Sequence, residues 1–206
     1  MKSRPPARRY SQVARAQAAE DTARRIVGAF LARLLADWYD DITLDRVAGD
    51  AGVTVQTVVR RFGGKEGLLA SAVKVLATQI NAQRASPPGD LRRLVDNLVA
   101  DYERTGDAVI RLLALEPRHP ALKDVLDLGR AEHRRWVSTG FAEQLSRLTA
   151  AACERALDAL VAVTDVYTWK LLRRDMGRSP GATAATIRHL IQAAIAKSST
   201  PDSSGD

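Results

Sequence analysis

Apolar residues three or four positions apart recur along almost the whole chain of 206 residues, and this spacing is the strongest constraint on its fold. The spacing places apolar side chains on one stripe of an α-helix, whereas no pair of segments shows the alternation typical of β-strands. The first helix is expected over about 20–37, and its stripe consists of Ala23, Ile26, Val27, Phe30, Leu34 and Trp38. The sequence therefore predicts an all-α fold.

Composition and charge limit the class of protein. The chain is 46% hydrophobic and 27% charged, as in soluble globular proteins, and its formal net charge of +7 favours an anionic partner such as nucleic acid. No run reaches the roughly 18 apolar residues of a membrane span, so we expect no membrane partner. The single cysteine, Cys153, excludes an intramolecular disulfide and favours a reducing, cytoplasmic location.

Six of the seven residues from Val53 to Val59 are β-branched, which on propensity alone favours a strand. A helix sorts the segment better, because a strand would place Val58 and Val59 on opposite faces. On a helix, one arc is apolar and the other is polar, with Val55, Val58, Val59 and Phe62 on the first and Gln56, Thr57, Arg60 and Arg61 on the second. We therefore predict a helix whose outer face is polar and basic.

A second short amphipathic helix precedes this one. Thr43 can cap its start, Gly52 can adopt the positive φ of a tight turn, and Thr54 can cap the following helix. Two short helices joined by such a turn form the helix-turn-helix arrangement that enters a DNA major groove. An ordinary helical hairpin is the alternative, but it would not require an outer face made only of Gln, Thr and Arg.

Residues 26–69 resemble the DNA-binding domain of TetR-type transcriptional regulators. The resemblance lies in the YDDIT element, the LDRVAGDAGVT pair and the F-x-x-K-E-x-L-L continuation that starts at Phe62. It implies a homodimer with a three-helix DNA-binding head and a helical body that binds a small ligand and forms the dimer interface. Two positions depart from the family: Val59 replaces a usual aromatic residue that often reaches a phosphate, and Trp38 replaces a frequent glycine.

The run ASPPGD at residues 85–90 breaks the helical pattern, and Asp90 can cap the next helix. We therefore expect a hinge there. The predicted order is a basic flexible arm (1–19), a helix-turn-helix DNA-binding domain (20–70), a connecting helix and hinge (71–90), a helical effector-binding and dimerisation domain (91–197) and a disordered tail (198–206). The arm carries five of the basic residues and no acidic residue.

The predicted DNA contacts follow from side-chain chemistry. Gln56 can pair with an adenine edge, Thr57 can touch a thymine methyl group, and Arg60 can reach guanine or phosphate. Helix starts can hold phosphates, although Thr43 and Thr54 can also be simple caps and Arg61 a solvated charge. The full predicted set is Thr43, Thr54, Val55, Gln56, Thr57, Arg60, Arg61 and Lys65.

For the body, polar or aromatic side chains on apolar stripes are candidates for a ligand pocket, although each can also be a satisfied core residue. The predicted ligand-binding residues are Tyr102, His133, Trp136, Thr164, Tyr167 and Thr168. A helix over about 151–176 is apolar around more than half of its circumference, which favours packing against a second subunit. The predicted dimer-interface residues are Val161, Leu172, Leu190 and Ile191.

Catalysis finds little support in the sequence. The three histidines lie on separate segments without metal-ligand spacing, no glycine-rich phosphate loop follows a strand, and no base lies near Cys153. We expect no enzyme activity, cofactor or metal. The favoured hypothesis is a repressor that a small-molecule effector releases from a palindromic double-stranded DNA operator. The alternatives are a helical small-molecule-binding module and a non-specific architectural DNA binder.

Overall fold

The computed structural model describes residues 7–87 and 89–198, and side chains within 12–87 and 89–197. These residues form helices and short turns and contain no strand, so the all-α prediction is confirmed. No helix in this part of the chain is long and apolar enough to cross a membrane. The helices are α1 (Ala7–Ala36), α2 (Leu44–Ala51), α3 (Val55–Phe62), α4 (Lys65–Arg84), α5 (Leu91–Leu115), α6 (Pro120–Gly140), α7 (Ala142–Leu145), α8 (Ala150–Thr164), α9 (Val166–Lys170) and α10 (Pro180–Ser198).

The chain divides into two compact units, Met1–Leu76 and Ala77–Asp206. The division falls inside α4, which begins in the first unit and ends in the second. The segment predicted as a hinge, residues 85–90, links α4 to α5 within the second unit, and its role as a hinge stays a prediction. Its polar groups are tied to α5, because Asn97 Nδ2 donates to the Ala85 carbonyl (2.8 Å) and Asp90 accepts from the Arg93 backbone N–H (2.9 Å).

In the first unit, α1 packs on α2 and α2 packs on α3. The buried stripe of α1 includes Ile26, Phe30 and Leu34, as the apolar spacing predicts. Two arginines of α1 also hold α2: Arg25 Nε donates to the Ala51 carbonyl (3.3 Å), and Arg33 Nε donates to the Asp50 carboxylate (2.6 Å). The position of the short helix α2 therefore depends on both apolar and polar contacts with α1.

Helix α1 begins earlier than predicted. It starts at Ala7 rather than near Glu20, so the part of the predicted flexible arm from residue 7 onward is helical. The side chains of residues 12–19 are exposed, so packing does not account for the helix over these residues. The segment is rich in Ala, Arg and Gln, which have high helix propensity. Residues 1–6 of the predicted arm lie outside the described residues.

The second unit has a core of its own, built mainly from α5, α6, α8 and α10. Helix α5 is continuous through Leu115, whereas the predicted helix over 151–176 is divided. It breaks at Asp165, whose carboxylate accepts from the Tyr167 backbone N–H (2.9 Å) and so caps α9, and a π-helical turn at Leu171–Asp175 follows. The last helix of the described part of the chain is α10, and residues 199–206 of the predicted tail lie outside the described residues.

Gly67, in the first turn of α4, generates a prediction about stability. A Cβ atom at this position would overlap the backbone carbonyl oxygen of Phe62 at the end of α3, so Gly67→Ala requires the backbone to move. We expect Gly67→Ala to lower the free energy of unfolding by about 1–3 kcal/mol. Urea unfolding followed by circular dichroism measures the change.

Gly49→Ala is the matched control, because a Cβ atom at Gly49 in α2 has no neighbour within 4 Å. It should leave stability unchanged or raise it by less than about 1 kcal/mol, since alanine favours helix. Equal loss of stability in the two variants would contradict the close approach at Gly67.

Candidate functional site

The turn between α2 and α3 has the geometry that the sequence predicts. Thr43 Oγ1 accepts from the Arg46 backbone N–H (3.3 Å), Gly52 ends α2 with a φ of 64°, and Thr54 Oγ1 accepts from the Thr57 backbone N–H (3.3 Å). Both threonines are therefore caps, and both are also exposed. A hydroxyl group that caps a helix can accept from the backbone and still donate to a phosphate. Their predicted contact with DNA stays a prediction.

Helix α3 buries a narrower arc than the sequence predicts. Val58 is fully buried, Val55 and Phe62 are partly buried, and Val59 is 43% exposed. Val58 and Val59 lie about 100° apart at the two edges of the apolar arc, so a helix that packs in the direction of Val58 turns Val59 outward. The assignment of Val59 to the buried face was therefore wrong.

The polar arc of α3 faces away from the core. Gln56, Arg60 and Arg61 are exposed. Thr57 is partly buried, and its hydroxyl lies 3.0 Å from the hydroxyl of Thr54. Within the described part of the chain, no ion pair involves Arg60 or Arg61. Two adjacent guanidinium groups on one short helix, with no carboxylate partner, give this surface a positive potential.

Lys65, predicted to hold a phosphate, is already engaged by the protein. Its ammonium group donates to the Tyr39 carbonyl oxygen and lies 4.1 Å from the centre of the Tyr39 ring. Partial burial lowers the pKa of Lys65, although Asp40 and Asp41 act in the opposite direction. Lys65 thus fixes the turn that leads into α2, and its predicted phosphate contact stays a prediction.

A buried ion pair marks the second candidate site, in the second unit. Arg84, the last residue of α4, donates through Nε to Asp101 Oδ2 (2.7 Å), and its Nη2 lies 2.7 Å from the same oxygen. Asp101 is fully buried and Arg84 is 7% exposed. Arg104 donates to the other carboxylate oxygen of Asp101 (3.0 Å) from a more exposed position. Sequence reasoning missed Arg84 and Asp101.

The ion pair continues into a chain of hydrogen bonds. Arg84 Nη1 lies 3.3 Å from His133 Nδ1, and His133 Nε2 lies 3.1 Å from Thr164 Oγ1. A guanidinium group can only donate, so Nδ1 must accept and the His133 proton resides on Nε2. Thr164 Oγ1 in turn donates to the Leu160 carbonyl (2.7 Å), and the Tyr102 hydroxyl donates to the Thr164 carbonyl (3.1 Å).

The surroundings shift the pKa values of two of these groups. Desolvation and the adjacent positive charge of Arg84 lower the pKa of His133 to about 4. Burial raises the pKa of Tyr102 to about 12, so its hydroxyl stays protonated and remains a donor. At neutral pH the site therefore contains a neutral imidazole, a neutral phenol and an ion pair.

Four of the six predicted ligand-binding residues meet in this cluster. Tyr102, His133 and Thr164 share the hydrogen bonds above, and Trp136 stacks on His133 with ring centres 5.7 Å apart. Tyr167 and Thr168 share no hydrogen bond or ring contact with the cluster among the described residues. Tyr167 is 57% exposed, and Thr168 Oγ1 donates to the Ala162 carbonyl (2.7 Å).

The predicted dimer-interface residues differ in exposure. Leu172 and Ile191 are buried in the core of their own unit, so they have almost no surface left for a partner. Val161 packs partly against the same core, whereas Leu190 is 37% exposed. Leu190 therefore offers the largest surface of the four, and its contact with a second subunit stays a prediction.

The pKa of His133 generates a prediction about pH. Because its folded pKa lies below its ordinary value of about 6.5, the unfolded chain binds more protons between pH 6.5 and 4, and stability falls as the pH falls through that range. The loss reaches about 3 kcal/mol at most. In His133→Gln this contribution should disappear, because an amide accepts from Arg84 and donates to Thr164 without titrating.

Urea unfolding at pH 7, 6, 5 and 4 measures the effect as the difference between the wild type and the variant. His189→Gln is the control, because His189 is exposed on α10. A His133→Gln variant whose stability follows the same pH dependence as the wild type would contradict the low pKa of His133.

No protein-family model matches the sequence, and no curated protein matches it. Solved structures do match. A TetR-family transcriptional regulator from Streptomyces coelicolor is 17% identical with a TM-score of 0.73, over 87% of this chain and 82% of that chain. A second such regulator from the same organism is 22% identical with a TM-score of 0.67, over 88% and 97%.

A TetR transcription regulator from Haloarcula marismortui ATCC 43049 is also similar, with 18% identity and a TM-score of 0.62 over 86% of this chain and 98% of that chain. These identities are low, so the likeness lies in the fold. It extends over most of the chain, including the body, where the sequence showed only an all-helical pattern. The chain therefore has the fold of TetR-family transcriptional regulators.

Proposed function

We propose that this chain is a sequence-specific DNA-binding transcriptional regulator. The observation that carries the proposal is the outer face of α3, which presents exposed Gln56, Arg60 and Arg61 without an ion-pair partner in the described residues. Several arginines on helices of the second unit do pair with carboxylates. A face that stays unpaired is suited to an anionic partner.

The side chains on this face suit the major groove. Gln56 lies in the first turn of α3, where side chains of a recognition helix reach base edges, and its amide matches adenine. Arg60 lies one turn further and can reach guanine or phosphate. The caps at Thr43 and Thr54 leave helix N-termini that can receive phosphate groups.

The proposed regulator acts as a homodimer. Apolar side chains of the second unit remain exposed, including Leu190 on α10 and Tyr167, Leu171 and Met176 around α9. A second copy that covers such a surface would be related by two-fold symmetry, so its two heads would read a palindromic operator. An effector that binds one arrangement of the heads more tightly would release the operator, which gives a repressor. No step of this mechanism requires catalysis.

The first prediction concerns sequence recognition. A duplex selected from a random library by the wild-type protein should bind Gln56→Ala about tenfold more weakly, because the bidentate contact with a base is lost. Binding to a scrambled duplex should not change. Fluorescence anisotropy at fixed salt measures both affinities, since salt alone changes them strongly.

Arg60→Ala should weaken binding to the selected duplex, whereas Arg92→Ala should not. Arg92→Ala is the matched control. Arg92 is an exposed arginine on α5 in the second unit, and its replacement by alanine removes the same charge. If the library yields no enriched sequence although DNA is bound, the result supports a non-specific architectural binder instead. If the protein does not bind DNA at all, the result supports a small-molecule-binding module instead.

The second prediction concerns the dimer. Leu190→Glu should raise the dimer dissociation constant at least about tenfold, because a carboxylate would be buried without a partner. Leu128→Glu is the control, since Leu128 on α6 is also exposed but carries no predicted contact. Sedimentation velocity measures both. A wild-type protein that is monomeric at micromolar concentration would contradict the proposed assembly.

A further inference from the structure

The guanidinium group of Arg84 lies in a cage that has the chemistry of a cation-binding site. Asp101 supplies a fully buried carboxylate, and His133 Nδ1 supplies a further acceptor at 3.3 Å. The guanidinium carbon lies 4.8 Å from the ring centre of Tyr102 and 5.5 Å from that of Trp136. A carboxylate combined with two aromatic rings is an arrangement that attracts a delocalised cation.

We propose that this cage is the effector site of the protein, that its effector is a flat organic cation such as an amidinium or guanidinium compound, and that Arg84 occupies the site in its absence. The proposal rests on the proposed regulatory function. It names the class of effector and the group with which the effector competes.

The contacts favour a cation over an anion. Each acceptor that faces the guanidinium group carries a negative charge or a lone pair: Asp101 Oδ2 binds it at 2.7 Å and His133 Nδ1 at 3.3 Å. An anion in the same place would lie beside the Asp101 carboxylate and against the electron-rich ring faces. Asp101 also keeps a contact with Arg104 at 3.0 Å, so its charge is not left alone while the occupants exchange.

The position of Arg84 in the chain connects occupancy of the cage with the DNA-binding unit. Arg84 is the last residue of α4, and the same helix begins at Lys65 in the first unit. An effector that takes the place of the guanidinium group removes the ion pair that anchors the end of α4 to α5. The two states then differ in how the last turn of α4 is held, which is the differential contact that a population shift requires.

The test uses three probes of one shape and different charge: benzamidinium, benzamide and benzoate. In the full-length Arg84→Ala variant the cage is vacated, so benzamidinium at millimolar concentration should raise the Tm by about 3 °C or more. Benzamide and benzoate should not raise it. The wild type should need at least about tenfold more benzamidinium for the same shift, because Arg84 competes.

Two variants serve as controls. In Arg84→Ala combined with Asp101→Asn the shift with benzamidinium should disappear, since the carboxylate is lost. Arg104 contacts the same carboxylate, and Arg104→Ala removes that contact while Arg84 stays in the cage. This variant should therefore respond to benzamidinium as the wild type does. If Arg84→Ala does not fold by itself, recovery of helical circular dichroism with benzamidinium but not with benzoate supports the proposal.

An equal Tm shift with benzoate, or no Tm shift with benzamidinium in either the wild type or Arg84→Ala, would contradict the proposal that the cage binds an organic cation. These measurements contain no DNA, so they are independent of the proposed regulatory function. Benzamidinium is then added to the wild type bound to its selected duplex, and release of DNA at the concentration that shifts the Tm supports the effector role. A shifted Tm with DNA still bound would overturn that role and leave the cage intact.

Discussion

The buried carboxylate of Asp101 is the constraint on which the second unit depends. Transfer of an ionised carboxylate out of water costs several kcal/mol, so a fully buried aspartate requires a partner with well-placed hydrogen bonds. Arg84 provides one of them together with the ion pair, Arg104 provides another, and Arg84 extends the network through His133 to Thr164. Helices α4, α5, α6 and α8 all contribute to the network, so the network sets their register as well as satisfying the charge. A different register would leave the Asp101 carboxylate buried without a partner. A purely apolar interface between the helices would not impose that cost.

The first unit depends on local bonds to a greater degree. Helices α2 and α3 have eight residues each, and isolated helices of that length are not stable in water. The caps at Thr43 and Thr54, the left-handed turn at Gly52 and the two arginines of α1 hold them. Lys65 holds the turn before α2 through its hydrogen bond to the Tyr39 carbonyl. The outer face of α3 is therefore positioned mainly by residues that do not belong to that face.

Sequence reasoning found features that depend on neighbours along the chain. The helix at Val55–Phe62, its capping threonines and the turn glycine all follow from local spacing, and the structure contains them. Val59 was assigned to the buried face because Val58 and Val59 form the two edges of one apolar arc. The spacing along the chain does not say toward which edge the helix packs. The fold resemblance rested on about 45 residues of the head, and the solved structures extend it over most of the chain.

Contacts between distant residues explain what the sequence did not provide. Tyr102, His133 and Thr164 were found because each is polar on an apolar stripe, but the stripes do not say which residues meet. Asp101 carried a usable signal, since it lies three residues after Leu98 on the buried side of α5 and must find a cation. Its partner Arg84 follows from no local pattern, because it lies on another helix 17 residues earlier.

The exposure of Val59 changes how the recognition face is understood. An aromatic residue at this position could reach a phosphate, whereas a valine has neither the length nor a donor. An exposed valine gains only from apolar contact, and the apolar group that base edges offer in the major groove is the thymine methyl. If α3 lies in the groove as proposed, Val59 reads a thymine, and the phosphate contact passes to Arg60 or Arg61, whose guanidinium groups are long enough to reach the backbone. In that arrangement a valine at this position would supply a contact that can specify sequence, whereas an aromatic residue there would supply one that positions the protein.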